Sequence, residues 1–291
     1  MSSENTSLIT PEEFGSIFHN EDYARIYYCT TKAFQDLLSL EQFIELAASF
    51  NQGVNHYQIE FSTNLPGMCQ YVWIDDQQER AISVIFGENQ EIQSLLLKPY
   101  VIYPESDKRY TQNTYTMPVK GEWFVFWGGA NELINYHYAY ESQRYAYDLV
   151  QIHNGLSYKN TPISNEHYYA YNQEIIAPAD GTIVKVTDGL KDNVPGEMDA
   201  NNPAGNYVII EHENNEYSLL AHFKQSSIQV KEGDIVKEGQ CIGLCGNSGN
   251  SSEPHLHFQV MDSAEFISAK SIRIRFADGI EPIQGDLVSN V

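Results

Sequence analysis

At 291 residues the chain is long enough for two domains of ordinary size, each with its own core. Its 39 acidic against 17 basic residues leave a formal net charge of -22, which opposes binding to nucleic-acid phosphates and adhesion to anionic membrane surfaces. The 20 tyrosines, together with Phe and Trp, suit β-rich packing and polar-rimmed grooves.

The opening Met1-Ser2-Ser3-Glu4-Asn5-Thr6-Ser7 has neither the basic nor the apolar region of a secretory signal. No apolar run is long enough for a membrane-spanning helix. The chain as written is therefore expected to stay in the cytoplasm; a chain shortened at this end would look the same and would be extracellular or periplasmic. Cys241 and Cys245, if on one strand, have Cα atoms roughly 13 Å apart, too far for a disulfide. Both are expected to be small buried hydrophobes, not ligands or a redox pair.

The first half opens on a helix start at Pro11, with Thr10 as N-cap and Glu12 and Glu13 in the first turn. Helical spacing continues through Tyr23, Ile26 and Tyr27, and again from Leu40 to Phe50, until Asn51-Gln52-Gly53 stops it. The period then becomes two, over Tyr57 to Phe61, Tyr71 to Ile74, Ala81 to Phe86 and Ile92 to Leu97. Helices followed by an antiparallel meander predict an α+β domain over residues 1–100. This order, with Leu95-Leu96-Leu97-Lys98-Pro99, resembles the NTF2-like folds, in which helices pack on a curved sheet. Its expected role is substrate binding, partner binding or spacing. A polar, Tyr- and Pro-containing connector is expected over 101–118.

From 119 to 291 the pattern is all-β. Val119 to Trp127 is a dense apolar strand ended by Gly128-Gly129. Asp148 interrupts the apolar run from Tyr145 to Ile152, where a lone carboxylate is expensive unless it meets a cation or donors. Two readings follow: a metal ligand, or a partner of Arg144. Ile175 to Val186 reads as strand, turn at Asp180-Gly181, strand. Further strands cover Asn206 to His212 and Glu216 to Phe223, the last placing Ser218, Leu220 and His222 on one face. Then a Gly/Asn/Ser-rich turn, Gly246-Asn247-Ser248-Gly249, runs into His255-Leu256-His257-Phe258. On a strand His255 and His257 share one face, a poor core but a good way to set a metal ligand beside a proton-transfer group.

These segments, with Ala177-Pro178-Ala179-Asp180-Gly181, Gly205 to His212, Ala221-His222 and Gly233-Asp234 to Gln240, together resemble the lysostaphin-type (LytM-like) zinc endopeptidases. The resemblance covers roughly residues 120 to 262 and implies an antiparallel β fold of the duplicated-hybrid-motif type. It implies one zinc ion held by two histidines and an aspartate, and hydrolysis of a peptide bond in bacterial cell-wall peptidoglycan. Matched by motif, Asp148 and His257 are metal ligands, and His222 and His255 are the catalytic histidines.

One position departs from the family's pattern. The histidine expected four residues before the aspartate is Arg144, whose guanidinium has no lone pair to offer a metal. Either His137 swings in as third ligand, or Arg144 fills the metal position, pairs with Asp148, and the protein is a non-catalytic peptidase-like binding or regulatory protein; Arg144 is thus expected in the substrate groove or as the ligand's substitute. The Tyr- and Asn-rich insertion from His153 to Gln173 could line a groove wall. His19, His56, His153, His167 and His212 are read as structural. Residues 176–243 also resemble sugar-phosphotransfer carrier and biotinyl or lipoyl modules, but these do not need the His-Leu-His strand.

Overall fold

A computed structural model of the chain describes residues 8–290, in two compact units that divide after Ile102. In the first unit α1 (Pro11–His19), α2 (Tyr23–Tyr28), α3 (Lys32–Gln35) and α4 (Leu40–Asn51) precede a meander of β1 (Tyr57–Leu65), β2 (Met68–Asp75), β3 (Arg80–Gly87) and β4 (Ile92–Pro99). The four strands lie in sequence order and every pair is antiparallel. Capping explains two of the helix starts: the Thr10 N–H donates to Glu13, and that of Ser39 to Gln42 at 2.8 Å. Phe14 and Phe18 of α1 meet Phe43 of α4 and Trp73 of β2 in one core. Gly15 allows the approach, because a Cβ there would lie 2.9 Å from the Trp73 ring. On α4 only Phe43, Ala47 and Asn51 are buried, so Ile44 and Leu46 of the expected apolar stripe face solvent.

The second unit begins at Tyr103. The stretch expected as a connector belongs to it: a short helix, α5 (Pro104–Asp107), is followed by a segment bonded to the unit's far end. Thr111 N donates to Arg273 O, Tyr115 N to Arg275 O, and the Tyr115 and Met117 side chains are in the core. The polarity of the stretch had suggested a linker; its alternate residues instead pair and pack.

Ten strands follow: β5 (Trp123–Trp127), β6 (Tyr147–Val150), β7 (Glu174–Ile176), β8 (Gly181–Thr187), β9 (Asn206–Glu211), β10 (Tyr217–Phe223), β11 (Ile235–Val236), β12 (Cys241–Leu244), β13 (Leu256–Met261) and β14 (Leu287–Val288). Eight form one antiparallel sheet, in the order β11-β8-β9-β10-β13-β6-β5-β14, and β12 pairs with β7 in a second. The strand–turn–strand read over Ile175 to Val186 is thus split between two sheets. One face of the large sheet carries the main core, with Leu149, Val208, Leu220, Leu256, Phe258 and Val260. Alternation sends His257, Gln259 and Met261 to the other face.

Phe258, fully buried in this core, sits between His257 and Gln259. Its replacement by alanine is expected to cost about 3–5 kcal/mol by lost burial and the cavity left. Chemical denaturation followed through the second unit's transition measures it; a loss below 1 kcal/mol would contradict the packing described.

Candidate metal centre

The central pair is set by the ladder. Asp148 on β6 stands directly opposite His257 on β13, so their side chains leave the sheet on one face, and His257 Nδ1 lies 2.9 Å from Asp148 Oδ1. His257 Nε2 faces Gln259 Oε1 at 3.0 Å, the next residue on the same strand face. His137 arrives from outside the sheet, on a 3-10 turn over Tyr136–Ala139. It is fully buried, with Nδ1 2.8 Å from Asn135 Oδ1 and Nε2 3.5 Å from Asp148 Oδ2. Ligand atoms of His137, Asp148 and His257 all lie within 4.8 Å of one another.

Two more imidazoles flank this cluster. His255 precedes β13, with Nδ1 2.8 Å from Glu253 O and Nε2 3.8 Å from Asp148 Oδ1. His222 lies 4.6 Å from His255 and 6.0 Å from His257, centroid to centroid, with Nδ1 2.8 Å from Ser248 O. Its route there differs from the expected strand alternation. Ala221 pairs with His257, so an unbroken β10 would turn His222 toward the core with Leu220. A register break between Ala221 and Phe223 and a left-handed φ of 66° at His222 bring the ring back to the site face. Such a backbone conformation is costly for a non-glycine residue and persists only where surrounding contacts hold it. Here His222 N donates to Ala204 O and His222 O accepts from Gly246 N.

Burial alone would raise the Asp148 carboxyl, but the imidazoles of His137, His255 and His257 outweigh it and hold the pKa well below the usual carboxylate range. Burial pushes His137 down to about 4 against the pull of Asp148, leaving a neutral imidazole at neutral pH. His222 is held well below the usual imidazole range by burial and by the neighbouring histidines. His257 is also buried, which lowers its pKa, yet its hydrogen bond to Asp148 wins and raises it overall.

This set suits zinc, which takes imidazole nitrogen and carboxylate oxygen in a compact site. His137 Nε2 is buried with no hydrogen-bond partner, and such an atom is stable only if something accepts its lone pair. A cleft of about 380 Å³ opens beside the cluster, lined by Tyr136, Tyr140, Leu219, His222, His257 and Phe266 among others. No Asp, Glu, Lys or Arg lines it.

Arg144 is in neither the cluster nor the cleft, a correction to both roles considered for it. Strand β6 starts only at Tyr147 and residues 141–145 form a turn, so a spacing of four does not bring Arg144 onto the face of Asp148. Its guanidinium stacks on the Tyr103 ring at 3.4 Å and Nε donates to Tyr138 O at 3.0 Å. The insertion from His153 to Gln173 contributes no residue to this cleft; it braces the loop leading to His255, through Asn165 with Asn247 and Ser157 with Glu253. His212 is structural, held between Asp180 O and Ser218 Oγ. Asn135 and Gln259 escaped the sequence reading. Gln259 lies two residues past His257 and so on its face, a signal that the alternation already contained.

Residues 166–269 match Peptidase family M23. The second unit carries a LytM-like metallopeptidase domain. The matched stretch contains His222, His255 and His257, while His137 and Asp148 precede it. Among similar proteins, the peptidoglycan DD-endopeptidase ShyA of Vibrio cholerae is 36% identical over 110 residues, which are 36% of this chain and 25% of that protein. Lysostaphin of Staphylococcus simulans is 43% identical over 63 residues, 21% of this chain and 12% of that one. The solved catalytic domain of S. simulans lysostaphin is 28% identical, covering 40% of this chain and 86% of that domain with a TM-score of 0.27. The match to ShyA thus spans a quarter of that protein's length.

Because Arg144 braces the metallopeptidase domain at a distance from the cluster, Arg144→Leu is expected to lower stability by about 1–3 kcal/mol, through the lost charged hydrogen bond and ring contact. Metal content should stay at the wild-type level. Denaturant titration and elemental analysis read the two effects; a change in metal content at unchanged stability would place Arg144 at the cluster after all.

Proposed function

We propose that the protein is a zinc endopeptidase that hydrolyses peptide bonds in bacterial cell-wall peptides, with His137, Asp148 and His257 holding one ion and His222 and His255 moving protons. The observation that carries it is the convergence of three buried ligand atoms sets on one point with two imidazoles beside them. The relatives named as peptidoglycan endopeptidases and lysostaphin support the substrate class. Zinc, when bound, supplies Lewis-acid polarisation of the scissile carbonyl and a more acidic water near neutral pH.

The chain's own residues determine where the proton goes. His255 Nδ1 faces the carbonyl of Glu253 and His222 Nδ1 that of Ser248, so both carry hydrogen on Nδ1. Each neutral ring therefore presents a bare Nε2, fit first to accept a proton from water. Only the imidazolium formed that way can donate, to the tetrahedral oxyanion or to the leaving amine. We assign the first acceptance to His255, whose Nε2 lies nearest Asp148, and the relay to His222. The cleft, free of charged chains, fits a neutral peptide of small residues. For the first unit, four helices before a four-stranded meander support an NTF2-like fold and a non-catalytic binding role; an experimental structure with a flat sheet and no helical cover would refute that fold.

The test is elemental analysis of protein purified without chelator, with turnover on purified peptidoglycan and oligoglycine peptides. About one zinc per chain is expected, lost in Asp148→Ala and His257→Ala together with activity. His222→Ala should keep its zinc while turnover falls about 10²–10⁴-fold. Unchanged hydrolysis in both ligand variants would overturn the proposal. A wild type without zinc that folds identically in chelator would make the chain a non-catalytic peptidase-like binding protein.

A further inference from the structure

Two buried amides stand against the two ligand histidines, and each is locked in one orientation. Asn135 is fully buried; its Nδ2 donates to Gly129 O at 2.9 Å and Ala146 O at 3.0 Å. The amide cannot turn over without setting its oxygen against two carbonyls. Its Oδ1 consequently faces His137, accepting from the backbone N–H at 3.2 Å and meeting ring Nδ1 at 2.8 Å. An amide oxygen only accepts, so Nδ1 must carry the ring hydrogen and the lone pair falls on Nε2, the buried atom left without a partner. Gln259 does the converse for His257. Its Nε2 donates to Ser142 O at 3.0 Å and its Oε1 meets His257 Nε2 at 3.0 Å, so the hydrogen belongs on Nε2 and Nδ1 is the nitrogen free for a ligand bond.

We propose that Asn135 and Gln259 are positioning residues that select opposite ring nitrogens, Nε2 of His137 and Nδ1 of His257, for presentation to the metal beside Asp148. The inference rests on the zinc reading above and adds to it the residues that set the donor atoms. Both selected nitrogens are the ones that approach the Asp148 carboxylate, at 3.5 Å and 2.9 Å. The need differs between the two. His257 is already aimed by its strand, whereas His137 sits on a short turn where Asn135 holds ring Nδ1.

The experiment compares two variants of Gln259 in the full chain by chelator competition for zinc. Gln259→Met removes the acceptor; Gln259→Glu keeps an acceptor but, like the methionine, cannot donate to Ser142. A role in holding the ring predicts zinc binding weakened about 10–100-fold in Gln259→Met and close to wild type in Gln259→Glu. Equal weakening in both would mean that the Ser142 bond matters and the ring contact does not, which overturns the inference, as would no weakening in either. Asn135→Leu and Asn135→Asp form the matching pair at His137, both losing the bonds to Gly129 and Ala146. Should these not fold, long-range imidazole 15N spectra of the zinc-loaded wild type decide: metal-bound Nε2 in His137 and metal-bound Nδ1 in His257 are expected, and the reverse at either ring refutes the assignment. Zinc-binding wild type with unaffected variants sinks this inference alone, whereas a wild type that takes up no zinc refutes the zinc reading and this inference with it.

Discussion

A carboxylate buried in a sheet is stable only where donors or cations surround it, and the metallopeptidase domain is arranged around that requirement at Asp148. The residue lies in a four-residue strand that is buried throughout. Tyr147 and Leu149 on either side of it join the main core, so the strand cannot turn Asp148 outward without exposing them. Antiparallel pairing then puts His257 opposite, and the same β13 that sends Leu256, Phe258 and Val260 into the core sends His257 and Gln259 to the carboxylate. Packing on one face of the sheet thereby fixes the chemistry on the other. A one-residue slip of β13 would turn the imidazole into the main core and the phenylalanine onto the site face, so core and site cannot be separated.

The same constraint explains why His222 needs an irregular backbone. Ordinary alternation on β10 gives the site face to Leu219 and Ala221, small and apolar residues that help line the cleft. An imidazole from the next position can join them only if the chain bulges. The left-handed φ at His222 accomplishes this, and the contacts to Ala204, Ser248 and Gly246 fix the bulge from three directions. Gly205 lets Ser248 come close to the chain beside it, since a Cβ there would lie 2.3 Å from Ser248 O, at a φ of +59°. Backbone strain thus sits where the proposed chemistry lies.

Much of this was legible before any coordinates, because it depends on short-range periodicity. The Thr10 cap, the meander of the first unit and the shared face of His255 and His257 follow from spacing alone. Asp148 announced itself as a charge in an apolar run. What was not legible depends on the chain's departures from regularity or on distant partners. The connector expected over 101–118 looked polar, yet its bonds run to Arg273, Arg275 and Pro178, which no local pattern signals. The face of His222 was assigned by alternation, and a bulge overrides alternation. Arg144 was weighed against Asp148 because the family spacing is four, but that spacing puts two side chains together only where the strand extends through both, and here it does not.

The arginine at 144 and the histidine at 137 are best understood together. A ligand on an extended strand would be aimed by the sheet; a ligand on a separate 3-10 turn needs its own support. That support is present as Asn135 within the turn, bonded across to Ala146 beside the carboxylate strand. Arg144 holds the same turn: it donates to the carbonyl of Tyr138, the residue next to His137, while Asp107 accepts from the hydroxyls of Tyr138 and Tyr145. Residues 144 and 137 are therefore coupled through one turn. The guanidinium steadies the turn through its backbone, while the imidazole itself meets Asn135.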